Sequence, residues 1–306
     1  MNFQIAQKAI DFFLARNSEV DQLRFGFYGG EPLLEFDLIQ KCVAYIRNAV
    51  EGKRVSFGLT TNGTLLTDEK IKFFVENDFQ LMISLDGSKQ EHDACRVFPN
   101  GQGSFDVVMQ NLKRVKELFP DYASRIKIST VISPKADLNH TLEYFKSDEV
   151  LSDKHIIMNP LADTGLKERV DYKESFYLVR RYEYFKYLLY VLGKMDREYV
   201  SELVIRSQQE TERFFRALQM HARLPRCTSP GGPCIPGVKK LFVMTDGRFY
   251  PCEKVAENNP CSQIGSLDEG CNVGGILHLH VQLSAVCLRW LSRCWQYAKP
   301  LRWRAQ

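Results

Sequence analysis

The sequence predicts an α/β fold built on a parallel sheet, and three observations carry the prediction. Short β-branched or aromatic runs alternate with longer amphipathic ones, the pattern that βαβ units produce. Five runs read as strands: Leu23 to Tyr28, Arg54 to Thr60, Phe79 to Ser84, Arg125 to Ile132 and Lys154 to Asn159. Gly, Asn, Ser and Asp residues collect at the C-terminal ends of these runs, where parallel barrels place their chemistry.

The helical runs follow from their spacing. Residues 3 to 16 set Phe3, Ile5, Ala6, Ala9, Ile10, Phe13 and Leu14 on one helical face. Phe36 to Val50 does the same with Leu38, Ile39, Val43, Ile46 and Val50. Thr67 heads the next helix as a capping residue, with Asp68 and Glu69 in the first turn, where carboxylates suit the positive helix end. Ser104 to Phe119 turns Val107, Val108, Leu112, Val115 and Leu118 inward, and Leu138 to Lys146 is a further helix. From Gly165 to about His221 aromatic, charged and long aliphatic residues dominate. Their helical spacing reads as core packing in long helices that join two domains.

Composition limits the function classes. A chain of 306 residues is long enough for one large domain and a smaller one. A net charge of +4 is too weak to argue for nucleic acid. There is no run of eighteen apolar residues to imply a membrane span, and the N-terminus MNFQIAQKAIDFF has no signal-peptide pattern. A cytoplasmic location is expected. Seven of the nine cysteines lie after residue 226. In a reducing compartment such clustering points to metal or Fe–S binding over disulfides. Cys42 and Cys95 stand apart and read as incidental.

The chemistry centres on Phe25-Gly26-Phe27-Tyr28-Gly29-Gly30-Glu31-Pro32. A strand stops at two glycines, where the backbone can turn tightly and a ligand can approach with no Cβ in the way. Glu31 offers a carboxylate for an ammonium group, and Pro32 ends the strand. This stretch resembles the Gly-Gly-Glu-Pro motif of radical S-adenosylmethionine (SAM) enzymes. Thr60-Thr61-Asn62-Gly63-Thr64-Leu65-Leu66 resembles the turn after that family's third strand, and Ile83-Ser84-Leu85-Asp86-Gly87 the end of its fourth. His92-Asp93, Arg96 and Gly101-Gln102-Gly103-Ser104-Phe105 follow as in the peptide-modifying and sulfatase-maturing branches. The resemblance covers roughly residues 1 to 270.

The cysteine-rich end begins at Arg226-Cys227-Thr228-Ser229-Pro230-Gly231-Gly232-Pro233-Cys234. Two short strands around Thr245-Asp246-Gly247 read as a hairpin that returns Cys252 towards Cys234. Converging thiolates suit iron or zinc. Gly-Gly-Pro-Cys-Ile-Pro-Gly-Val and Asp-Gly-Arg-Phe-Tyr-Pro-Cys-Glu-Lys-Val resemble the SPASM-type extension of maturases of cysteine-rich ribosomal peptides. Ile264-Gly265-Ser266-Leu267 resembles the strand that closes this unit, and beyond about Cys271 the likeness ends.

The resemblance implies an incomplete (β/α)6 radical SAM barrel of TIM type over residues 1–165. A helical linker follows over 166–225, then a SPASM-like Fe–S domain over 226–271 and an unassigned, frameshifted tail over 272–306. It implies that Gly29, Gly30 and Glu31 hold the amino group of SAM, Ser84 and Arg96 contact its ribose and carboxylate, Leu161 lies near adenine, and Asn62 orders the strand-end loop. Cys227, Cys234 and Cys252 would ligate an auxiliary 4Fe–4S cluster, and Glu253 takes the place of a carboxylate base in sulfatase-maturing relatives. The family's first strand and its Cys-x3-Cys-x2-Cys segment, which binds the SAM-cleaving 4Fe–4S cluster, are absent from this sequence. A truncated reading frame or a split gene is the expectation. The implied activity is maturation of a ribosomally made, cysteine-rich peptide through a 5′-deoxyadenosyl radical, with flavodoxin or ferredoxin as electron donor. An anaerobic sulfatase maturase and a non-catalytic Fe–S or peptide-binding protein are the alternatives.

Overall fold

The structure, a computed structural model, describes residues 1–50, 52–161, 171–217, 240–253 and 262–272. In chain order the first elements are α1 (Phe3–Arg16), β1 (Gln22–Phe27), a 3-10 turn (Pro32–Glu35), α2 (Phe36–Ala49), β2 (Arg54–Thr61), α3 (Asp68–Glu76) and β3 (Phe79–Ser84). Next come α4 (Lys89–Asp93), α5 (Phe105–Leu118), α6 (Pro120–Arg125), β4 (Lys127–Ile132), α7 (Leu138–Ser147) and β5 (His155–Pro160). The last are α8 (Glu174–Val191), α9 (Glu202–Ala217), β6 (Phe242–Val243), β7 (Arg248–Tyr250), β8 (Gly265–Ser266) and β9 (Gly270–Cys271).

The described residues form two compact units, one drawn from Val20–Met220 and the other from Met1–Glu19 with His221–Gln306. In the first, β1 to β5 lie in sequence order in one sheet, every neighbouring pair parallel. The expected α/β class and the five strands are therefore present. Leu23, Phe57, Leu59, Phe79, Leu81, Ile83, Ile128 and Ile156 are buried, and period-two alternation puts them on one side of the sheet. Phe57 stacks on Phe79 at 5.2 Å between ring centroids, and Phe74 of α3 reaches Phe79 at 4.9 Å. Burying each such ring contributes about 1.5–3 kcal/mol. The opposite side carries Arg24, Gly26 and Gln80 exposed, with Ser84, Lys127 and Ser129 half-buried.

Thr67 caps α3 as expected, its hydroxyl accepting the Lys70 amide N–H. The spacing did not show α4 or α6, which are only 5 and 6 residues long. Arg125 closes α6 instead of opening β4. Ser88 and Glu91 start α4 with a reciprocal capping box, and Pro120 sits in the first turn of α6.

In the second unit β6 to β9 make an antiparallel sheet. The expected hairpin is present: Gly247 donates to the Met244 carbonyl at 3.0 Å and has φ +89°, a conformation glycine supplies without strain. Phe249 and Ile264 form its core with Leu241, Val243 and Leu267. Phe12 of α1 packs on Phe249 at 4.8 Å. Among the described residues no helix is long and apolar enough to cross a membrane.

Candidate functional site

The C-terminal ends of β1, β2 and β3 form a rim. At β1, Gly29 has φ +146°, and beside both Gly29 and Gly30 the space a side chain would fill is open. Glu31 lies next to them, and its carboxylate joins two loops. One oxygen, Oε1, accepts the Thr61 hydroxyl at 2.6 Å and the Leu33 amide at 3.1 Å. The other, Oε2, accepts the Asn62 amide at 2.7 Å. A carboxylate offers about four acceptor sites. With three used by the chain itself, about one remains for a ligand donor.

At β2, the Asn62 side-chain oxygen accepts the Thr64 amide at 2.9 Å and the Thr64 hydroxyl at 2.7 Å, both within its own loop. Gly63 follows at φ +76°, where a Cβ would come within 2.9 Å of Ile83 Cγ2. Asn111 of α5 donates to the Gly63 carbonyl at 2.8 Å and fixes the loop from behind.

At β3, Asp86 is the hub. Its Oδ2 accepts Arg96 Nε at 2.6 Å, and its Oδ1 accepts the Val131 amide of β4 at 2.8 Å. Arg96 therefore pairs with Asp86, not with the adjacent Asp93. A second, long contact from Arg96 to Asp86 Oδ1 is 3.4 Å. Of its five N–H donors, the three not aimed at Asp86 can fork around a ligand carboxylate. The Ser84 hydroxyl bonds to no described residue and lies half-buried.

Behind Asp86 stands His92, fully buried. Its Nδ1 accepts the Asp86 amide N–H at 3.2 Å. Its Nε2 therefore carries the proton and donates to Ser104 Oγ at 3.0 Å, and that hydroxyl donates to the Arg96 carbonyl at 3.0 Å. Burial, and then the Arg96 charge, push its pKa below the usual 6.5. Asp93 accepts the Phe105 amide at 2.9 Å and so starts α5. Sequence reasoning missed Thr61, Asp86, His92 and Ser104 as parts of the site, although all fall inside its motifs.

Leu161 lies beyond β5, partly exposed, and its amide donates to the Tyr172 hydroxyl at 2.6 Å. In the second unit Cys252 is half-buried just after β7. Glu253 Oε2 forms an ion pair with Lys240 Nζ at 2.7 Å. Cys227 and Cys234 lie outside the described residues. Among the described residues no three His, Cys, Asp or Glu side chains gather as a metal site.

The rim offers open glycine backbone, one remaining acceptor on Glu31 and three guanidinium N–H donors on Arg96 not aimed at Asp86. Residues 5–146 match the family model of the radical SAM superfamily. A cysteine-type anaerobic sulfatase-maturating enzyme of Clostridium novyi is 31% identical over 139 residues, 44% of this chain and 36% of that protein. A serine-type anaerobic sulfatase-maturating enzyme of Bacteroides thetaiotaomicron is 32% identical over 118 residues, 38% of this chain and 28% of that protein. The chain thus spans about a third of the length of these two curated relatives. A solved structure described as native anSMEcpe with bound AdoMet and Kp18Cys peptide is similar in fold, at TM-score 0.65 and 22% identity over 90% of this chain and 72% of that one. Over residues 5–146, a little under half of its length, the chain is thus similar to the radical SAM superfamily.

Proposed function

We propose that the chain is the SAM-holding and substrate-holding part of a radical SAM maturase that modifies a polypeptide, of the sulfatase-maturating kind. The observation that carries this reading is the Asp86–Arg96 pair after β3 together with the open Gly29-Gly30 turn after β1, both within the residues that match the radical SAM model. Gly29, Gly30 and Glu31 take the amino group of SAM, Arg96 its carboxylate, Ser84 the ribose and Leu161 the adenine. SAM, once bound to a reduced 4Fe–4S cluster, supplies hydrogen-atom abstraction from the peptide. The Asp86 pair fixes Arg96 so that little side-chain entropy is lost when the carboxylate arrives. Cys227, Cys234 and Cys252 ligate the auxiliary cluster, and flavodoxin or ferredoxin supplies electrons.

The sulfatase-maturating reading draws support from the relatives' stated activities and from Glu253. This carboxylate follows Cys252 directly and lies 2.7 Å from Lys240 Nζ, and a positioned carboxylate is a candidate proton acceptor. A second reading, a cysteine-rich peptide as substrate, draws on the Gly-Gly-Pro-Cys-Ile-Pro-Gly-Val and Tyr-Pro-Cys-Glu-Lys-Val stretches.

The test supplies a family-type first strand with Cys-x3-Cys-x2-Cys ahead of Met1 and measures SAM affinity after anaerobic reconstitution with iron and sulfide. Losing a charge-assisted bond costs about 1.5–3 kcal/mol, so Arg96→Ala should weaken SAM about tenfold or more. Equal affinities would remove Arg96 from the ligand site.

A further inference from the structure

The edge of β5 holds backbone groups that nothing in the described chain satisfies. In a parallel ladder the N–H and C=O of a residue point to the same side, and successive residues alternate. The Leu161 amide bonds to the Ile132 carbonyl of β4 at 3.3 Å. Ile157 and Asn159 therefore also face β4, while Ile156, Met158 and Pro160 face away from the sheet. Both ends of this free edge are closed. The Lys154 carbonyl, which shares its direction, is capped by Arg206 of α9 at 2.8 Å. Pro160 has no N–H to offer, as befits an edge position. Between them, no described residue bonds the outward N–H and C=O groups of Ile156 and Met158. Ile156 is 6% exposed, and buried backbone groups without a partner are rare.

These groups line a cavity of about 520 Å³ walled by β5, α7, α8 and α9, a volume in the range of ligand sites. Its apolar wall includes Leu138, Leu142, Phe176 and Leu203, and exposed Arg180 and Arg181 stand at its rim. Glu183 also lines it, but Glu183 is already paired with Lys186 at 2.6 Å. Its other carboxylate oxygen, Oε2, is buried with no partner among the described residues, while no described carboxylate forms an ion pair with Arg180 or Arg181 at the exposed rim.

We infer that the β5 edge receives an extended polypeptide segment as an added strand, bonded to Ile156 and Met158. An apolar side chain of that segment fills the cavity, and acidic neighbours meet Arg180 and Arg181. Strand addition of this kind draws affinity from main-chain bonds and specificity from the pockets beside them. The polypeptide class of ligand rests on the maturase reading above, and the site would be its substrate-docking edge.

The probe is the peptide acetyl-Glu-Leu-Thr-Val-Glu-amide, added to the full chain, with amide hydrogen exchange followed residue by residue. Saturating probe should slow exchange at Ile156 and Met158 at least tenfold and leave Ile157 and Asn159 unchanged. N-methylation of the probe at Leu or at Thr, in turn, should abolish the effect in one of the two cases. A charge-reversed probe with Lys for Glu should bind at least tenfold more weakly, and the R180E/R181E pair should reverse that preference. Unchanged exchange at Ile156 and Met158, or slow exchange there in the free chain, overturns the proposal. The readout needs neither SAM nor iron. Its failure would leave the maturase reading standing, and failure of the Arg96 test would leave the edge result standing.

Discussion

Glu31→Gln tests whether the Gly-Gly-Glu stretch is held together as its hydrogen bonds indicate. The substitution preserves shape and one acceptor. Oε1 can still take the Thr61 hydroxyl and the Leu33 amide, at 2.6 and 3.1 Å in the wild type. The new amide nitrogen then faces the Asn62 N–H, which the wild type accepts at 2.7 Å, and a donor meets a donor. A lost bond to a charged group costs about 1.5–3 kcal/mol; the half-buried position argues for about 2 kcal/mol. In a unit the size of Val20–Met220, 1 kcal/mol shifts Tm by about 2–4 °C. A fall of about 4–8 °C is expected by calorimetry of the protein without ligand. Thr61→Val should cost about 1 kcal/mol, and the double variant less than the sum, because both act on one carboxylate. A Tm for Glu31→Gln within about 1 °C of wild type would mean that Glu31 does not tie β1 to β2 and is held only by a ligand.

Gly103→Ala should destabilise by about 2 kcal/mol or more, because a methyl group there overlaps the Asp93 carboxylate that starts α5; denaturant midpoints check it. His92 is held neutral in the fold with its pKa lowered from 6.5, so the unfolded chain binds more protons between the two values. Its contribution is whole above about pH 6.5 and falls as pH drops through the folded value, and His92→Gln should flatten the stability profile below pH 6.5 in urea titrations. The chain reconstituted with iron and sulfide should lose bound iron in the Cys234→Ala/Cys252→Ala variant; iron content unchanged by the substitutions would remove both thiolates from the ligand set.

The strands were legible because each carries its own signature. Ile128, Thr130 and Ile132 are buried while Lys127, Ser129 and Val131 are less so, and that period of two is written in residue types within one short window. Helices α2 and α5 were legible for the same reason at the longer period. Helices α4 and α6 were not, since five or six residues complete little more than one turn and show no period. The rim was legible as motifs and illegible as contacts. Nothing local to Asp86 indicates that it accepts an amide 45 positions away, because that bond depends on how β3 and β4 register. The same holds for Glu31 and Asn62, which are 31 positions apart. A polar residue in the turn after a strand can serve its own loop or its neighbour's, and only the strand order decides which.

That distinction explains how a rim rich in carboxylates can still present donors outward. Glu31 and Asp86 direct most of their acceptor capacity to the protein's own amides, hydroxyls and guanidinium. What remains outward is largely donor on the Arg96 side and backbone on the glycine side. A zwitterionic amino-acid head, with an ammonium and a carboxylate a few bonds apart, complements that division. His92 keeps the arrangement in one state. Protonating Nδ1 would set an N–H against the Asp86 amide N–H, and the same bond that orients the ring thereby opposes its charging. The Ser104 hydroxyl then has a single arrangement, accepting from the ring and donating to the Arg96 carbonyl. The backbone of Arg96 is held from behind by a neutral chain of hydrogen bonds. Its guanidinium is held from the side by a charged one.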